Sequence, residues 1–392
     1  MKTSRTADAP KDLVVVGASV RAIAGSASRA GFIVHAADLF GDLDLRELAA
    51  TVETVRPYPA GLPAAVAAFP PAPWIYTGAL ENHPELIAVL AAARPLAGCS
   101  PEAVARVRDT DNLAALVREA GLLFPETRRE PRTVPTAGTW LVKPLASAGG
   151  RGIRRWQGGE PPATSTGLSL WQRLIPGRAF AAGYLLAAGK GQLITTSRQL
   201  IGRRWCHASP FAYCGSVDID PATLPRAIRD QLLRLGDALA TESGLVGLVG
   251  VDIVIDGQNQ LYVIEVNPRP TASLELVERA TGLSLAVAHL AACGIVSAAP
   301  ETRPRHETWS KAILFASRDL RFDDTALAAL HTRARPWTAT DGWPAVADIP
   351  RPPQAVPAGG PVCTVFAPGP TPAAALAMLR RRIAAVEAGL PG

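Results

Sequence analysis

Two short apolar runs near the start of the chain have the composition of buried parallel strands. Leu13–Gly17 and Phe32–Ala37 are almost continuously apolar, and a segment with helical character separates them. A further strand is predicted over Trp74–Gly78, and Ser100 before a proline marks the start of a helix. These patterns predict an α/β lobe over residues 1–98.

This lobe resembles a dinucleotide-binding βαβ unit in one respect. Asp38 follows the second strand, 21 residues after Gly17, where such units carry the acid that holds a ribose. The glycine fingerprint is degenerate, because its other two positions are Ser19 and Ala22. Dinucleotide binding and a purely structural lobe are both open on the sequence alone.

A glycine-rich segment follows a predicted strand in the middle of the chain. The strand Trp140–Pro144 carries Lys143 near its end, and Ser147–Ile153 contains three glycines before a second short strand. Glycines let backbone N–H groups close on phosphate oxygens, although the segment lacks the GK[ST] sequence of a Walker A loop. The pattern predicts a hairpin that either covers a phosphate or lies on the surface.

The most specific chemical pattern is a predicted hairpin over residues 250–267. Two alternating strands flank an Asp-Gly turn, and Asp252 faces Glu265 near the open end of the hairpin. Asn267 lies two residues after Glu265, so both side chains fall on one face. Two carboxylates and an amide oxygen favour a hard cation such as Mg²⁺, and Arg269 adds a fixed positive charge. The alternative is a solvated strand edge with a salt bridge.

Composition and charge narrow the kinds of molecule that the protein is expected to bind. The 392 residues are 48% hydrophobic and 19% charged, which is typical of a globular protein, and no apolar run is long enough to span a membrane. The net charge is +6, but 35 of the 40 basic residues are arginines scattered without interleaved aromatics, which argues against nucleic acid. The five cysteines form no CxxC pair, and no signal-like apolar core precedes the first strand. We therefore expect a cytoplasmic protein that acts on small molecules, with neither nucleic acid nor membrane as a partner.

In combination, the lysine, the glycine loop and the Asp…Glu-x-Asn-Pro-Arg hairpin resemble an ATP-grasp enzyme of the carboxylate–amine ligase and biotin carboxylase type. Gln172–Gly177 resembles the segment that contacts adenine, and Ser273–Gly282 resembles the helix and turn after the metal strand. The resemblance covers about residues 12–295. It implies an α/β fold in which ATP lies between two antiparallel sheets.

The resemblance also implies a division into three parts. These are a Rossmann-like pre-ATP-grasp lobe over residues 1–98, a two-sheet ATP-grasp domain over 99–298 with a lid subdomain at about 135–190, and a small C-terminal lobe over 299–392.

Roles for particular side chains follow from the same resemblance. It implies an ATP site that comprises Lys143, Ser147, Gly149, Gly150, Gly152, Gln172 and Leu174. It implies a site for one or two Mg²⁺ ions, or Mn²⁺ in their place, that comprises Asp252, Glu265 and Asn267. Arg269 would be the catalytic residue that stabilises the transferred phosphoryl group.

Two positions depart from the family pattern. Asp111 and Asn112 stand where many relatives have a lysine near the start of a helix, so Arg108 is the candidate replacement. Arg173 stands where an acidic residue is common after the adenine-site glutamine.

Two further segments have two interpretations each. Glu81 and Asn82 follow a predicted strand and either contact substrate or cap a helix. Arg203, Arg204 and His207 either line a substrate site, with the arginines clamping a carboxylate, or form an exposed rim.

The activity implied is that of a Mg-ATP-dependent ligase. Such an enzyme phosphorylates a small carboxylate to an acyl phosphate, and an amine then displaces the phosphate. The alternatives are a biotin-carboxylase-like, ATP-dependent carboxylase and an inactive ATP-binding scaffold. ATP and Mg²⁺ are the expected cofactors, a small carboxylate and an amine are the expected substrates, and a homo-oligomer is left open.

Overall fold

The computed structural model describes residues 11–158, 168–297, 303–305, 307–337 and 343–390. The predicted boundary at 298 and part of the predicted lid lie outside the described residues. None of the described helices is long and apolar enough to span a membrane.

The N-terminal lobe is a parallel four-stranded sheet, as the apolar runs predict. Its elements are β1 (Asp12–Gly17), α1 (Arg21–Arg29), β2 (Ile33–Asp38), α2 (Leu43–Leu48), β3 (Thr51–Thr54), α3 (Leu62–Ala67), β4 (Trp74–Tyr76) and α4 (Pro84–Ala93). The strand order is β3-β2-β1-β4, with every pair parallel. The carboxyl ends of β1 and β4 therefore meet at one edge of the sheet, where loops can face a ligand.

Asp38 has a structural role at this edge. Its buried carboxylate accepts hydrogen bonds from the backbone N–H groups of Val20 at 3.0 Å, Phe40 at 2.6 Å and Gly41 at 2.6 Å. Burial raises the pKa of Asp38 to about 6 in spite of these bonds. The side chain that would hold a ribose is thus engaged by backbone donors, which favours the structural interpretation of the lobe.

Two helices and a small antiparallel sheet follow. The elements are α5 (Pro101–Arg108), α6 (Thr110–Glu119), β5 (Thr127–Arg128), β6 (Trp140–Pro144), β7 (Arg154–Arg155) and β8 (Ser169–Arg173). Ser100 caps α5 by accepting from Ala103 N at 3.3 Å, and Asp109 caps α6 by accepting from Asn112 N at 3.0 Å. The small sheet has the order β5-β8-β6-β7, so the predicted hairpin around the glycine loop is confirmed.

A large antiparallel sheet forms the other side of the molecule. Its first half and the helices packed on it are β9 (Gly177–Ala187), β10 (Lys190–Ile201), β11 (Tyr213–Ile219), α7 (Arg226–Glu242), β12 (Gly247–Asp256), β13 (Leu261–Asn267), α8 (Leu274–Thr281) and α9 (Leu285–Ala292). The predicted β12–β13 hairpin is present, and Asp252 pairs directly with Glu265.

The C-terminal strands continue this sheet. The elements are β14 (Thr308–Phe315), β15 (Leu320–Phe322), α10 (Asp324–Ala334), β16 (Val346–Ala347), β17 (Gln354–Val356), β18 (Pro361–Gly369) and α11 (Pro372–Glu387). The eight-stranded order is β13-β12-β9-β10-β11-β14-β18-β16. The junction uses Gly215 of β11, because a Cβ there would lie 2.1 Å from the carbonyl oxygen of Lys311. The last part of the chain therefore shares a sheet with the middle part.

The largest buried cluster joins the N-terminal lobe to the large sheet. Val14 and Trp74 of the lobe belong to the same apolar cluster as Tyr184, Leu235 and Val251. Burial of this surface fixes the lobe against the sheet. The edge at the ends of β1 and β4 is thereby held next to the β12–β13 hairpin.

Candidate active site

A cavity of about 760 Å³ lies between the small sheet and the large sheet. Every part of the fold contributes to its wall, as Gly78, Arg108, Lys143, Asp252 and Lys311 illustrate. Its volume is in the range of small-molecule sites, roughly 300–1,000 Å³.

The three predicted metal ligands come together on this wall. Asp252 and Glu265 are directly opposite on β12 and β13, and Asn267 pairs with Gly250 two residues further along the ladder. The Asn267 amide donates to Asp252 Oδ2 at 3.4 Å, and Gln199 donates to Asp252 Oδ1 at 2.8 Å. The β-ladder therefore sets these oxygens side by side without any long-range adjustment.

The charges of Asp252 and Glu265 favour the binding of a cation. Burial, together with the neighbouring charge of Glu265, raises the pKa of Asp252 to about 6. No group of three or more His, Cys, Asp or Glu side chains that could hold a metal occurs among the described residues. The predicted metal site is not such a group, because its three ligands are two carboxylates and one amide oxygen. An all-oxygen set of this type fits Mg²⁺, which also retains water and substrate phosphate oxygens as ligands.

Arg269 lies at the same end of the cavity. Its Nη2 donates to Glu81 Oε1 at 2.6 Å and to Asn267 Oδ1 at 3.2 Å. Burial alone would lower the pKa of Arg269, but the paired Glu81 raises it above its ordinary value. Arg269 Nε and Glu81 Oε2 are both buried without a hydrogen-bond partner in the described structure. Unsatisfied buried polar atoms at a cavity wall are typical of a site that binds a polar ligand.

Lys143 and Gln172 form a second polar group on the small-sheet side. Lys143 is on β6, and its Nζ donates to Gln172 Oε1 on β8 at 3.1 Å. Burial lowers the pKa of Lys143, while the charges of Glu265 and Asp252 oppose that shift. Lys143 therefore lies within electrostatic reach of the oxygen cluster although it belongs to the opposite sheet.

The glycine loop is anchored to the large sheet. Gly149 accepts from Tyr213 N at 3.0 Å, and a Cβ on Gly150 would lie 2.0 Å from the carbonyl oxygen of Phe211. Both glycines have positive φ, +63° and +79°. Ser147 lines the cavity with them, and its carbonyl accepts from Asn82 at 3.3 Å. The loop thus crosses from one sheet to the other over the cavity.

Two predicted ATP-site residues lie away from the cavity wall. Gly152 packs against Pro144, where a Cβ would be 2.9 Å from the ring. Leu174 lines a separate recess beside Arg173, and its N–H donates to the Thr139 carbonyl at 2.8 Å. Roles for these two residues in ATP binding stay predictions.

Arg108, the candidate replacement for the missing lysine, lies on the cavity wall. One of its guanidinium nitrogens bonds to Glu265 Oε1, and the other donates to Asn82 Oδ1 at 2.7 Å and to the Leu145 carbonyl at 3.0 Å. Arg108 therefore connects a predicted metal ligand to Leu145, just before the glycine loop, and through Asn82 to Ser147 in that loop. Glu81 and Asn82 form a short 3₁₀ turn and hold Arg269 and Arg108, which neither interpretation of these residues anticipated.

The arginine pair after β10 has a different location. Arg203 and Arg204 are exposed and are absent from the cavity wall, and His207 Nε2 bonds to Glu387 Oε1 at 2.5 Å. This favours the exposed rim.

A second charged group on the wall was missed by the sequence analysis. It comprises Arg21, Glu275, Lys311 and Asp348. A usable signal was present at Lys311, because it is one of only five lysines and lies in an apolar strand.

The cavity lies between two antiparallel sheets, which is the arrangement that the resemblance to ATP-grasp enzymes implies. A family model described as an ATP-grasp domain matches residues 107–273. This part of the chain is therefore similar to ATP-grasp domains, and the expected α/β fold class is confirmed.

Individual relatives cover different parts of the chain. The carbamoyl phosphate synthase large chain of Pseudomonas syringae pv. tomato is 26% identical over 216 residues, which is 51% of this chain and 20% of that protein. This chain thus spans about a fifth of the length of such curated relatives.

Solved structures match almost the whole chain at low identity. Carboxyaminoimidazole ribonucleotide synthase from Aspergillus clavatus, complexed with ATP, has a TM-score of 0.71 and 14% identity, with 97% of this chain and 99% of that chain covered. L-amino acid ligase from Bacillus licheniformis has a TM-score of 0.68 and 16% identity, with 96% and 98% covered. At these identities the likeness concerns the fold.

Proposed function

We propose that this protein is a cytoplasmic, Mg-ATP-dependent ligase that joins a small carboxylate to an amine. The observation that carries the proposal is the convergence of Asp252, Glu265, Asn267 and Arg269 with Lys143 on one cavity. The ATP-grasp match over residues 107–273 supports the same chemistry. So does the range of similar proteins, which includes an amino acid ligase and a carbamoyl phosphate synthase.

In the proposed reaction, a carboxylate oxygen of the substrate attacks the γ-phosphorus of ATP. The bond between that phosphorus and the β,γ-bridging oxygen breaks, and ADP leaves with the electron pair. The amine nitrogen then attacks the acyl carbon, the C–O bond to phosphate breaks, and inorganic phosphate leaves. The nitrogen loses its proton to the departing phosphate or to solvent, so the amide forms without a change in oxidation state.

The chain's own residues have distinct roles in this scheme. Lys143 and the loop around Gly149 and Gly150 contact and cover the phosphates, since their donors face the cavity. Arg269 stabilises negative charge on the transferred phosphoryl group. Asp252, Glu265 and Asn267 hold Mg²⁺, or Mn²⁺ in its place, and the metal supplies neutralisation of phosphate charge when bound.

A direct test measures ADP release with a panel of carboxylates, using hydroxylamine as the amine. An acyl phosphate is trapped as a hydroxamate, so carboxylate-dependent hydroxamate formation is the expected result. ADP release that strictly requires bicarbonate, with labelled carbon in the product, would replace the ligase by a carboxylase. Binding of ATP without ADP release under any condition would instead indicate a scaffold.

A further inference from the structure

The cavity has a second charged end, built from parts of the chain that are far apart in sequence. Arg21 of α1 donates to both Glu275 oxygens of α8, at 2.6 and 3.0 Å, and to both Asp348 oxygens, at 2.9 and 3.4 Å. Lys311 of β14 donates to Glu275 Oε2 at 3.1 Å. All four side chains line the same cavity as the oxygen cluster. This second end is called the distal subsite below.

The charges of the distal subsite are costly to bury. The side chains of Arg21, Glu275 and Lys311 are 7%, 2% and 4% exposed. Buried ion pairs of this kind are seldom more stabilising than apolar packing, because both partners lose hydration. Burial alone would raise the pKa of Glu275, but Arg21, Lys311 and Arg279 hold it well below its ordinary value. A stabilising role in folding is thus a weak explanation for these groups.

Two groups of the distal subsite have unused hydrogen-bonding capacity. Lys311 has three N–H donors, and its one hydrogen bond in the described structure is to Glu275. Asp348 has the most accessible side chain of the four, at 24% exposed. Its backbone is in the left-handed region, at φ +55°, and the Asp44 carboxylate holds that turn by accepting from Asp348 N at 2.9 Å. The turn therefore fixes the backbone of Asp348 at the cavity wall.

The balance of charge indicates which ligand fits. A ligand with two negative charges would be repelled by Glu275 and Asp348. A ligand with two positive charges would be repelled by Arg21 and Lys311. A ligand with one group of each sign complements the accessible carboxylate and the ammonium that has spare donors. Such a ligand enters without leaving an uncompensated charge in the buried subsite.

Resting on the proposed function, we propose that the distal subsite binds the α-ammonium and α-carboxylate groups of an amino acid. Asp348 accepts from the ammonium group, and Lys311 donates to the carboxylate. The α-ammonium and α-carboxylate groups bound in the distal subsite are not the groups that react at Arg269. The reacting carboxylate is therefore on the side chain of the amino acid, which extends towards Arg269 and the oxygen cluster.

The test removes one charge of the substrate at a time. Hydroxamate formation with MgATP and hydroxylamine is measured for L-glutamate, glutarate and 4-aminobutyrate, and for L-aspartate, succinate and β-alanine. Each set compares an amino acid with analogues that lack its α-ammonium or its α-carboxylate. For at least one set, the wild type should use the amino acid with a kcat/KM at least tenfold higher than either analogue.

Two variants then test which residue binds each charged group of the substrate. Asp348→Asn should abolish the preference over the analogue without an ammonium group, and Lys311→Met should abolish the preference over the analogue without an α-carboxylate. Lys190→Met and Asp237→Asn change exposed residues outside the cavity wall and should keep both preferences. If Lys311→Met does not fold, Lys311→Arg, which keeps the charge and should retain a preference, completes the test with Asp348→Asn.

Several outcomes would overturn the inference. Equal use of the amino acid and its analogues by the wild type would do so, and so would variants that slow all three substrates alike. Absence of hydroxamate with all six acids, in protein that MgATP stabilises against heat, would reject this substrate class and leave the ligase activity to be tested with other carboxylates. Failure of MgATP to bind would instead reject the proposed function.

Discussion

The guanidinium of Arg269 donates to the carboxylate of Glu81 across 2.6 Å, which connects the predicted catalytic arginine to the N-terminal lobe. Glu81 is 3% exposed, and Arg269 holds its pKa below the ordinary value although burial opposes this. Glu81 therefore positions the guanidinium of Arg269, although the two residues are 188 apart in sequence.

Replacement of Glu81 by glutamine should reduce kcat by about tenfold or more, because a charged hydrogen bond contributes about 1.5–3 kcal/mol. We expect the KM for ATP to change little, since Glu81 positions Arg269 and is not among the residues proposed to contact ATP. Steady-state ADP release checks the split between kcat and KM. The matched control is Glu85→Gln, which alters an exposed carboxylate four residues away. A loss confined to the KM for ATP would contradict a positioning role.

Glu265→Gln keeps the shape of a proposed metal ligand and removes its charge. It should abolish ATP turnover in protein that still folds, and Asn267→Ala should have a smaller effect because a neutral oxygen attracts Mg²⁺ less strongly. ADP release as a function of Mg²⁺ concentration, with a melting curve for each variant, is the measurement. Glu130→Gln, an exposed change, is the control. Full turnover in Glu265→Gln would mean that the carboxylate is structural.

Arg108→Met should weaken ATP binding by about tenfold or more, because Arg108 connects Glu265 to Leu145, just before the glycine loop. Arg108→Lys should recover part of that loss, since the resemblance to ATP-grasp enzymes implies a lysine in this region. Titration calorimetry with MgATP gives both affinities. Arg118→Met changes an exposed arginine on the next helix and serves as the control. Unchanged affinity in Arg108→Met would show that it does not replace the missing lysine.

Mg-ATP should raise the melting temperature of the protein, and NAD should not. A ligand at 100 times its Kd stabilises the native state by about 2.7 kcal/mol. We expect no ribose contact from Asp38, because its carboxylate is engaged by three backbone donors. A thermal-shift series with each nucleotide decides the matter. Stabilisation by NAD alone would restore the dinucleotide interpretation of Gly17 and Asp38.

Asp252→Asn should stabilise the metal-free protein at pH 7.5. Burial raises the folded-state pKa of Asp252 to about 6, so the native state binds its proton more tightly than the unfolded state does. Stability is therefore lost as the pH rises between about 4 and 6, and the penalty above pH 6 is up to about 3 kcal/mol. The gain from Asp252→Asn should fall to about half at pH 5. Denaturant unfolding at both pH values in the presence of a chelator tests this, and a pH-independent gain would contradict it.

Local patterns in the sequence were sufficient for part of the site. The register that sets Asp252 opposite Glu265 follows from alternation on two strands joined by a short turn, so few residues separate the partners. The glycine loop and the cap at Ser100 are local in the same way. Each of these features depends on contacts between residues that are close in sequence. The short segment between such residues leaves few alternative arrangements of the backbone.

The remaining relationships required the tertiary structure. Arg21 contacts Glu275 and Asp348 across 254 and 327 residues, and no local pattern in an isolated sequence marks such pairs. The extension of the large sheet by β14 also depends on a close approach at Gly215, which composition and periodicity do not encode. The sequence by itself therefore determined β1, β2, β4, β6, the β12–β13 hairpin and the cap at Ser100, because their geometry is set by neighbouring residues. Only packing of the N-terminal lobe and the C-terminal strands against the large sheet decided which distant charges meet at the cavity, because that packing depends on burial of apolar surface contributed by the whole chain.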